Sequence, residues 1–84
     1  MAKLNEIISD LDVLIKPLKR EQTENSVLYI FDCGIVFRLI SKRNYILAIY
    51  GQLEMTIEYV LVSKPDKKIF LFDDSGLRVG TITL

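Results

Sequence analysis

The first part of the chain places apolar residues at intervals of three and four, which is the spacing of one face of an α-helix. The intervening positions, among them Glu6, Asp10 and Lys16, are polar or charged. Pro17 disfavours helical backbone at the residue before it. The pattern therefore predicts an amphipathic helix over about residues 3–16. Its apolar stripe comprises Leu4, Ile7, Ile8, Leu11, Leu14, Ile15 and Leu18.

Residues 17–25 form a polar stretch without apolar periodicity. The length of this stretch suits an ordinary connector between two elements of one domain. We expect it to join the helix to the first strand.

From about residue 26 onward the apolar residues follow a period of two, and β-branched and aromatic residues dominate. Groups of two to five turn-forming residues lie between the runs. Such short loops connect antiparallel neighbours, because a parallel crossover needs about a dozen residues or more. The six predicted strands cover residues 27–32, 36–40, 45–50, 53–62, 69–72 and 77–83.

The sequence therefore predicts a single α+β domain over residues 1–84, with strands in residues 26–84. An N-terminal amphipathic helix is expected to pack on a curled antiparallel meander of five to six strands. A helix of about 13 residues is roughly 20 Å long and about 10 Å wide, so it covers only two or three strands. The remaining apolar surface requires closure into a partly closed barrel or a partner.

Two predicted strands, residues 45–50 and 69–72, are apolar on both faces. Because one helix cannot cover both faces, we expect self-association, most simply as a dimer, through an apolar sheet face or a strand edge. The predicted interface residues are Tyr45, Leu47, Ile49, Ile69 and Leu71. The strand over residues 53–62 alternates instead, and its expected core face comprises Leu53, Met55, Ile57, Tyr59 and Leu61.

The composition limits the kinds of metal-binding and catalytic site that the chain can form. The chain has no histidine and one cysteine, Cys33, which excludes a Cys/His metal cage and a Cys-His nucleophile pair. Glu54 and Glu58 would lie roughly 13 Å apart along a strand, too far for a paired-carboxylate mechanism. We therefore expect a non-catalytic protein with no metal and no cofactor.

Hydropathy and charge bear on location and partners. The longest apolar run, residues 45–50, has six residues, whereas a membrane helix needs about 20. Eleven basic and eleven acidic side chains give a net charge of zero, so the bulk charge favours no polyanionic partner. These features predict a cytoplasmic protein without a membrane partner.

Basic residues concentrate in and beside two predicted turns. Alternate turns of a meander fall at the same end of the sheet, so a shared basic end is expected from Lys42, Arg43, Lys64, Lys67 and Lys68. Phosphate contacts are then predicted at Lys42, Arg43, Lys67 and Lys68. The opposite end would collect Asp32, Asp73 and Asp74. The competing interpretation is that turn lysines keep loop tips soluble and protect the flanking apolar strands from edge pairing.

Three smaller features have structural interpretations. Residues 73–76 predict a hairpin turn in which side-chain oxygens accept backbone hydrogen bonds and Gly76 adopts a positive φ. Gly80, inside a predicted strand, indicates a bulge or a close backbone approach. The tyrosines are expected to pack in the core or an interface, with base stacking as the alternative; they are Tyr29, Tyr45, Tyr50 and Tyr59.

A helix followed by a strongly bent meander is similar in order to the elements of the Sm-like RNA-binding barrels. The acidic-then-asparagine loop of that family has no counterpart between Val36 and Val62. Residues 41–44 also lack its Asp-Gly turn. The similarity extends to element order alone, so the sequence does not predict membership.

Together these patterns favour a small non-catalytic protein-binding or regulatory module that self-associates, with a further protein as another possible partner. Nucleic-acid binding through the basic end is the alternative.

Overall fold

A computed structural model describes residues 2–84 of the chain, with side chains from residue 3 onward. It contains one helix followed by eight strands. The elements are α1 (Ala2–Leu14), β1 (Lys19–Gln22), β2 (Ser26–Ile30), β3 (Val36–Ser41), β4 (Ile46–Tyr50), β5 (Leu53–Ile57), β6 (Tyr59–Ser63), β7 (Lys68–Phe72) and β8 (Arg78–Thr83). The predicted α+β class with antiparallel pairing is confirmed.

The strands form two antiparallel sheets, one with the order β1-β2-β3-β4-β5 and one with the order β6-β7-β8. Within each sheet every strand pairs with its neighbour in the chain. The helix α1 contacts β3 and β6, and β5 contacts β8. The helix and the three-stranded sheet therefore pack against the five-stranded sheet and enclose the core between them.

The predicted helix is confirmed, and the apolar stripe explains its orientation. Leu4, Ile7, Ile8 and Leu11 are buried in the core. Each fully buried aliphatic side chain of this kind contributes about 1.5–3 kcal/mol of transfer free energy. Leu18, expected on the same stripe, is 75 % exposed, because the helix ends before it. No helix in residues 2–84 is long and apolar enough to cross a membrane.

The expected connector over residues 17–25 contains an edge strand, β1, which corrects the prediction. All four residues of β1 are exposed and none is apolar, so no hydrophobic pattern in the sequence predicts this strand. The strand is held by its ladder with β2 and by the backbone hydrogen bond from Leu18 N to Ile30 O, at 2.8 Å. Arg20 of β1 also contacts Asp12 of α1 through two hydrogen bonds.

The single strand predicted over residues 53–62 is two strands that belong to different sheets. The chain bends at Glu58, and burial changes phase there, because Ile57 and Val60 are both buried. Tyr59 and Leu61, predicted on the core face, are therefore exposed on the outer side of β6. Leu53, at the other end of the predicted core face, is exposed as well. The meander has eight strands rather than the expected five to six, owing to this bend and to β1.

The two sheets meet along β5 and β8 without hydrogen-bonded pairing, so the expected partly closed barrel is not confirmed. Gly80 lies at this seam, where a Cβ on it would stand 2.7 Å from Sδ of Met55. A register shift between Leu71 and Phe72 also places a bulge in the pairing with β8. Both expectations for Gly80, a bulge and a close approach, are thus met.

Candidate interaction surfaces

Three of the predicted interface residues lie on the outer side of β4 or directly before this strand. Tyr45, which is 40 % exposed, Leu47 and Ile49 alternate with the buried Ile46 and Ala48. The register of β2, β3 and β4 continues this side across the five-stranded sheet, opposite the core. We call it the aliphatic face, and its half-buried residues are Leu28, Ile30, Val36, Ile40, Leu47 and Ile49.

A charged row crosses the aliphatic face. The pairing places Arg38 of β3 beside Leu28 and Ile49, and the row ends with Glu21 on β1 and Glu54 on β5. Each glutamate is two strands from Arg38, about 9.6 Å away at the usual strand spacing. Neither Arg38 nor Glu54 forms an ion pair with another described residue. Arg38 is a charge inside an otherwise apolar strand, and the sequence alone indicates it only as a neighbour of the basic turns, not as part of this face.

The other two predicted interface residues, Ile69 and Leu71, lie in the core and are fully buried. Phe70 and Phe72 occupy the outer side of β7 instead and are half-buried. Both sides of this strand are apolar, so alternation alone cannot tell which side faces the core. The expectation for Ile69 and Leu71 is therefore corrected, since neither is accessible to a partner.

The residues predicted to form a basic end are not brought together. The turn with Lys42 and Arg43 borders a groove with the turn that contains Asp73. Lys67 lines a different groove, together with Asp32 and with Tyr50 at the end of β4. The β3–β4 turn thus contributes Asn44 to a groove with Asp73 and Asp74, and Lys67 shares its groove with Lys16 and Asp32.

The cause of this mixing is the bend at Glu58, which adds one chain reversal between the two basic turns. With one more reversal, the β6–β7 turn moves to the end opposite the β3–β4 turn. Glu58 itself lines the same groove as Asp73, Asp74 and Glu54. That groove is acidic, and Glu58 forms an ion pair with Lys3 of the helix.

The outer side of the three-stranded sheet forms a second surface, which we call the aromatic face: Tyr59, Leu61, Phe70 and Phe72, with Lys68 and Arg78. The rings of Tyr59 and Phe72 stack, with centroids 5.0 Å apart and planes 5° apart. The Arg78 guanidinium carbon lies 5.6 Å from the centroid of the Phe70 ring. Phe70, Phe72, Leu77 and Arg78 line a shallow groove there.

A polar network on the core side joins the helix to the five-stranded sheet. The hydroxyl of Tyr29, whose side chain is buried, donates a 2.8 Å hydrogen bond to Oδ1 of Asp12. Arg20 donates to both carboxylate oxygens of Asp12, at 3.1 and 3.0 Å. Burial, and then the hydrogen bond to Asp12, raise the pKa of Tyr29 above its ordinary range. The hydrogen bond to Asp12 also raises the pKa of Arg20. The network connects the helix to the sheet through side-chain hydrogen bonds.

The predicted hairpin turn at residues 73–76 has the expected chemistry. Oδ1 of Asp73 accepts hydrogen bonds from the Ser75 hydroxyl at 2.7 Å and from the backbone N–H groups of Ser75 and Leu77, both at 2.9 Å. The hydroxyl bond, followed by the backbone bonds, lowers the pKa of Asp73. Gly76 has φ 84°, a conformation that favours glycine. Turn formation accounts for these residues.

Across residues 2–84 no group of three or more Cys, Asp or Glu side chains is arranged to hold a metal ion. Cys33 is exposed beside Gly34, which has φ 88°, in the turn between β2 and β3. The aliphatic and aromatic faces are therefore the two surfaces with features that need a function.

Comparisons of the chain with protein-family models, with curated proteins and with solved structures found no match. The interpretation of the two faces therefore depends on their own geometry and chemistry.

Proposed function

We propose that the chain is a small non-catalytic protein-binding or regulatory module, and that its first partner is a second copy of itself bound through the aliphatic face. The proposal involves no cofactor and no catalytic step. Its main support is the charged row, because this row makes the face complementary to itself.

The row reads Glu21, Leu28, Arg38, Ile49, Glu54 across the five strands. A two-fold axis parallel to the strands and above Ile49 would set Arg38 of each copy opposite Glu54 of the other. Sheets that pack face to face are about 10 Å apart, which leaves room for such a pair between flanking aliphatic side chains. An axis above Arg38 would instead bring two arginines together, so the charges select the register.

The size of the face sets the expected strength. Five strands about 4.8 Å apart, with about five residues each, give a flat footprint of roughly 24 by 17 Å, or about 400 Å². Stable complexes bury about 800 Å² on each partner, so this face has about half that size, as in weak and transient complexes. We therefore expect a reversible dimer with a dissociation constant of roughly 10–100 µM.

Sedimentation equilibrium from low to high micromolar concentration tests the proposal. The mass of the wild-type chain should rise from 9.7 kDa toward twice that value. Arg38→Glu and Glu54→Arg should each weaken association by about tenfold or more, because each creates two like-charge contacts. An equimolar mixture of the two variants should associate again, since both contacts are then complementary. Leu47→Glu should abolish association by placing a charge among the aliphatic side chains.

Glu21→Arg is the matched control, because Glu21 ends the same row on the opposite edge strand, and the variant should have a dissociation constant within twofold of the wild type. A mass that remains at 9.7 kDa throughout would contradict self-association. An effect of Glu21→Arg without one of Glu54→Arg would contradict the proposed register.

The proposal includes a cytoplasmic location. The exposed Cys33 is the only cysteine of the chain and has no intrachain partner. A reducing compartment keeps such a thiol free, so that non-covalent association governs the oligomer.

A further inference from the structure

The aromatic face has a composition unlike that of any other surface of the described chain. Three rings, Tyr59, Phe70 and Phe72, share it, and Tyr59 is 39 % exposed. The side chains on the outer side of β6, β7 and β8 include Lys68 and Arg78 but no acid. In a chain of zero net charge, this is an aromatic surface whose own charges are all positive.

The geometry of the rings suits stacking. Tyr59 and Phe72 already stack with nearly parallel planes. Beside them, the guanidinium group of Arg78 lies against the Phe70 ring in an open, shallow groove. A guanidinium plane and an aromatic ring both accept a stacked base, and the guanidinium N–H groups also donate to phosphate.

The aliphatic face differs in each of these respects. It has no aromatic ring among its half-buried residues, and its row contains Glu21 and Glu54, which would repel phosphate. The acidic groove near Asp73 would repel phosphate as well. Among these three surfaces, the aromatic face is therefore the one that is complementary to a polyanion with planar groups.

We propose that the aromatic face binds a short stretch of single-stranded nucleic acid, with bases stacked on Tyr59, Phe70 and Phe72 and phosphates contacted by Arg78 and Lys68. A duplex does not fit this role, because its bases are already stacked on one another. The three strands of the sheet accommodate about two or three bases, as in other small sheets that stack bases.

The surrounding charges set the path of the strand. Asp73 and Asp74 follow β7 directly, whereas Lys68 begins β7 at its far end. The nucleic acid is therefore expected to extend from Phe72 toward Lys68, away from the acidic turn. The β6–β7 turn beyond Lys68 contains Lys64, Asp66 and Lys67 and has a net charge of +1, whereas the turn after Phe72 contains two acids.

Fluorescence anisotropy with a labelled oligothymidine and a labelled oligouridine of about ten nucleotides tests the proposal at low salt. The wild-type chain should bind both probes. Tyr59→Ala should weaken binding by about tenfold, because one stacking ring is lost, whereas Tyr59→Phe should bind within about twofold of the wild type. Arg78→Gln should weaken binding and reduce the slope of log affinity against log salt by about 0.7.

Arg43→Gln is the matched control, since it removes one exposed arginine from a turn outside the face and should leave affinity and salt slope unchanged. Thermal melting of each variant verifies that it is folded. Absence of binding by the wild-type chain would overturn the proposal. Equal losses from Arg43→Gln and Arg78→Gln would overturn it too, because they would indicate diffuse electrostatic attraction.

The aromatic face is on a different sheet from the aliphatic face, so the two proposals are tested separately. Oligonucleotide binding should persist in Arg38→Glu, whose self-association is weakened. If Tyr59→Ala lowered the solution mass while no oligonucleotide bound the wild type, the aromatic face would be a contact between copies, and nucleic-acid binding would be excluded.

Discussion

Tyr29 connects three parts of the molecule through one side chain. Its ring stacks on Phe37 in the core, with centroids 6.2 Å apart. Its hydroxyl reaches Asp12 on the helix, and the guanidinium group of Arg20 lies over its ring at 5.8 Å. A buried hydroxyl needs a partner, and this one also fixes where the end of the helix lies on the sheet.

Tyr29→Phe should lower the free energy of unfolding by about 1 kcal/mol at neutral pH, because it removes one hydrogen bond but keeps the ring. The raised pKa of Tyr29 adds a pH dependence. Its neutral form is favoured in the folded chain, so this stability is present below the ordinary tyrosine pKa of about 10 and is lost as pH rises above it.

Urea unfolding between about pH 7 and 11 measures both effects. The decrease in the free energy of unfolding above pH 10 should be smaller in Tyr29→Phe than in the wild type. Tyr45→Phe, which changes an exposed tyrosine, should retain the wild-type dependence. An unchanged alkaline loss in Tyr29→Phe would show that other groups cause it.

At the scale of elements, the periodicity of apolar residues along the sequence predicts the helix and most of the strands. The helix and the strands β2, β3, β4, β7 and β8 were predictable because each has a continuous apolar pattern. The strand β1 was not, since a polar edge strand is held by its ladder and by Arg20 rather than by burial. The bend at Glu58 was hidden because alternation runs unbroken through the sequence while the backbone changes sheets.

Loss of the contact between β1 and α1 should loosen the edge of the sheet. Arg20→Ala should lower the free energy of unfolding by about 1 kcal/mol, since a partly exposed bidentate pair contributes little more. Amide exchange of β1 should accelerate. A double-mutant cycle with Asp12→Ala should give a coupling energy of similar size. Lys19→Ala, which removes the exposed pair with Glu21, is the control and should have almost no effect.

At the scale of the whole molecule, the packing of two sheets leaves two outer surfaces of different character. The aliphatic face was partly predictable, since Tyr45, Leu47 and Ile49 lie on or beside it as the two-sided apolar strand implied. The prediction of a shared basic end was wrong. The end of the sheet at which a turn lies depends on the number of chain reversals that separate it from the other turn. One unrecognised bend at Glu58 was enough to separate Lys42 from Lys67.

Self-association should also appear in the thermal stability of the whole chain. A partner that binds only the folded state raises the melting temperature with concentration, by mass action. The wild-type melting temperature should therefore rise over a hundredfold increase in protein concentration, whereas that of Arg38→Glu should remain constant. Calorimetry of the two proteins measures both melting temperatures. A wild-type melting temperature independent of concentration would argue against the dimer.

Within each sheet, the pairing of strands that are neighbours in the chain also determines the order in which the molecule can form. Each hairpin closes a short loop, and such local contacts allow fast folding. The contact between α1 and β6 is different, because more than forty residues separate Leu14 from Tyr59. During synthesis the helix emerges before the strands, and its apolar stripe has no complete core until β6 has left the ribosome. Until then, the stripe is the surface that a chaperone would meet.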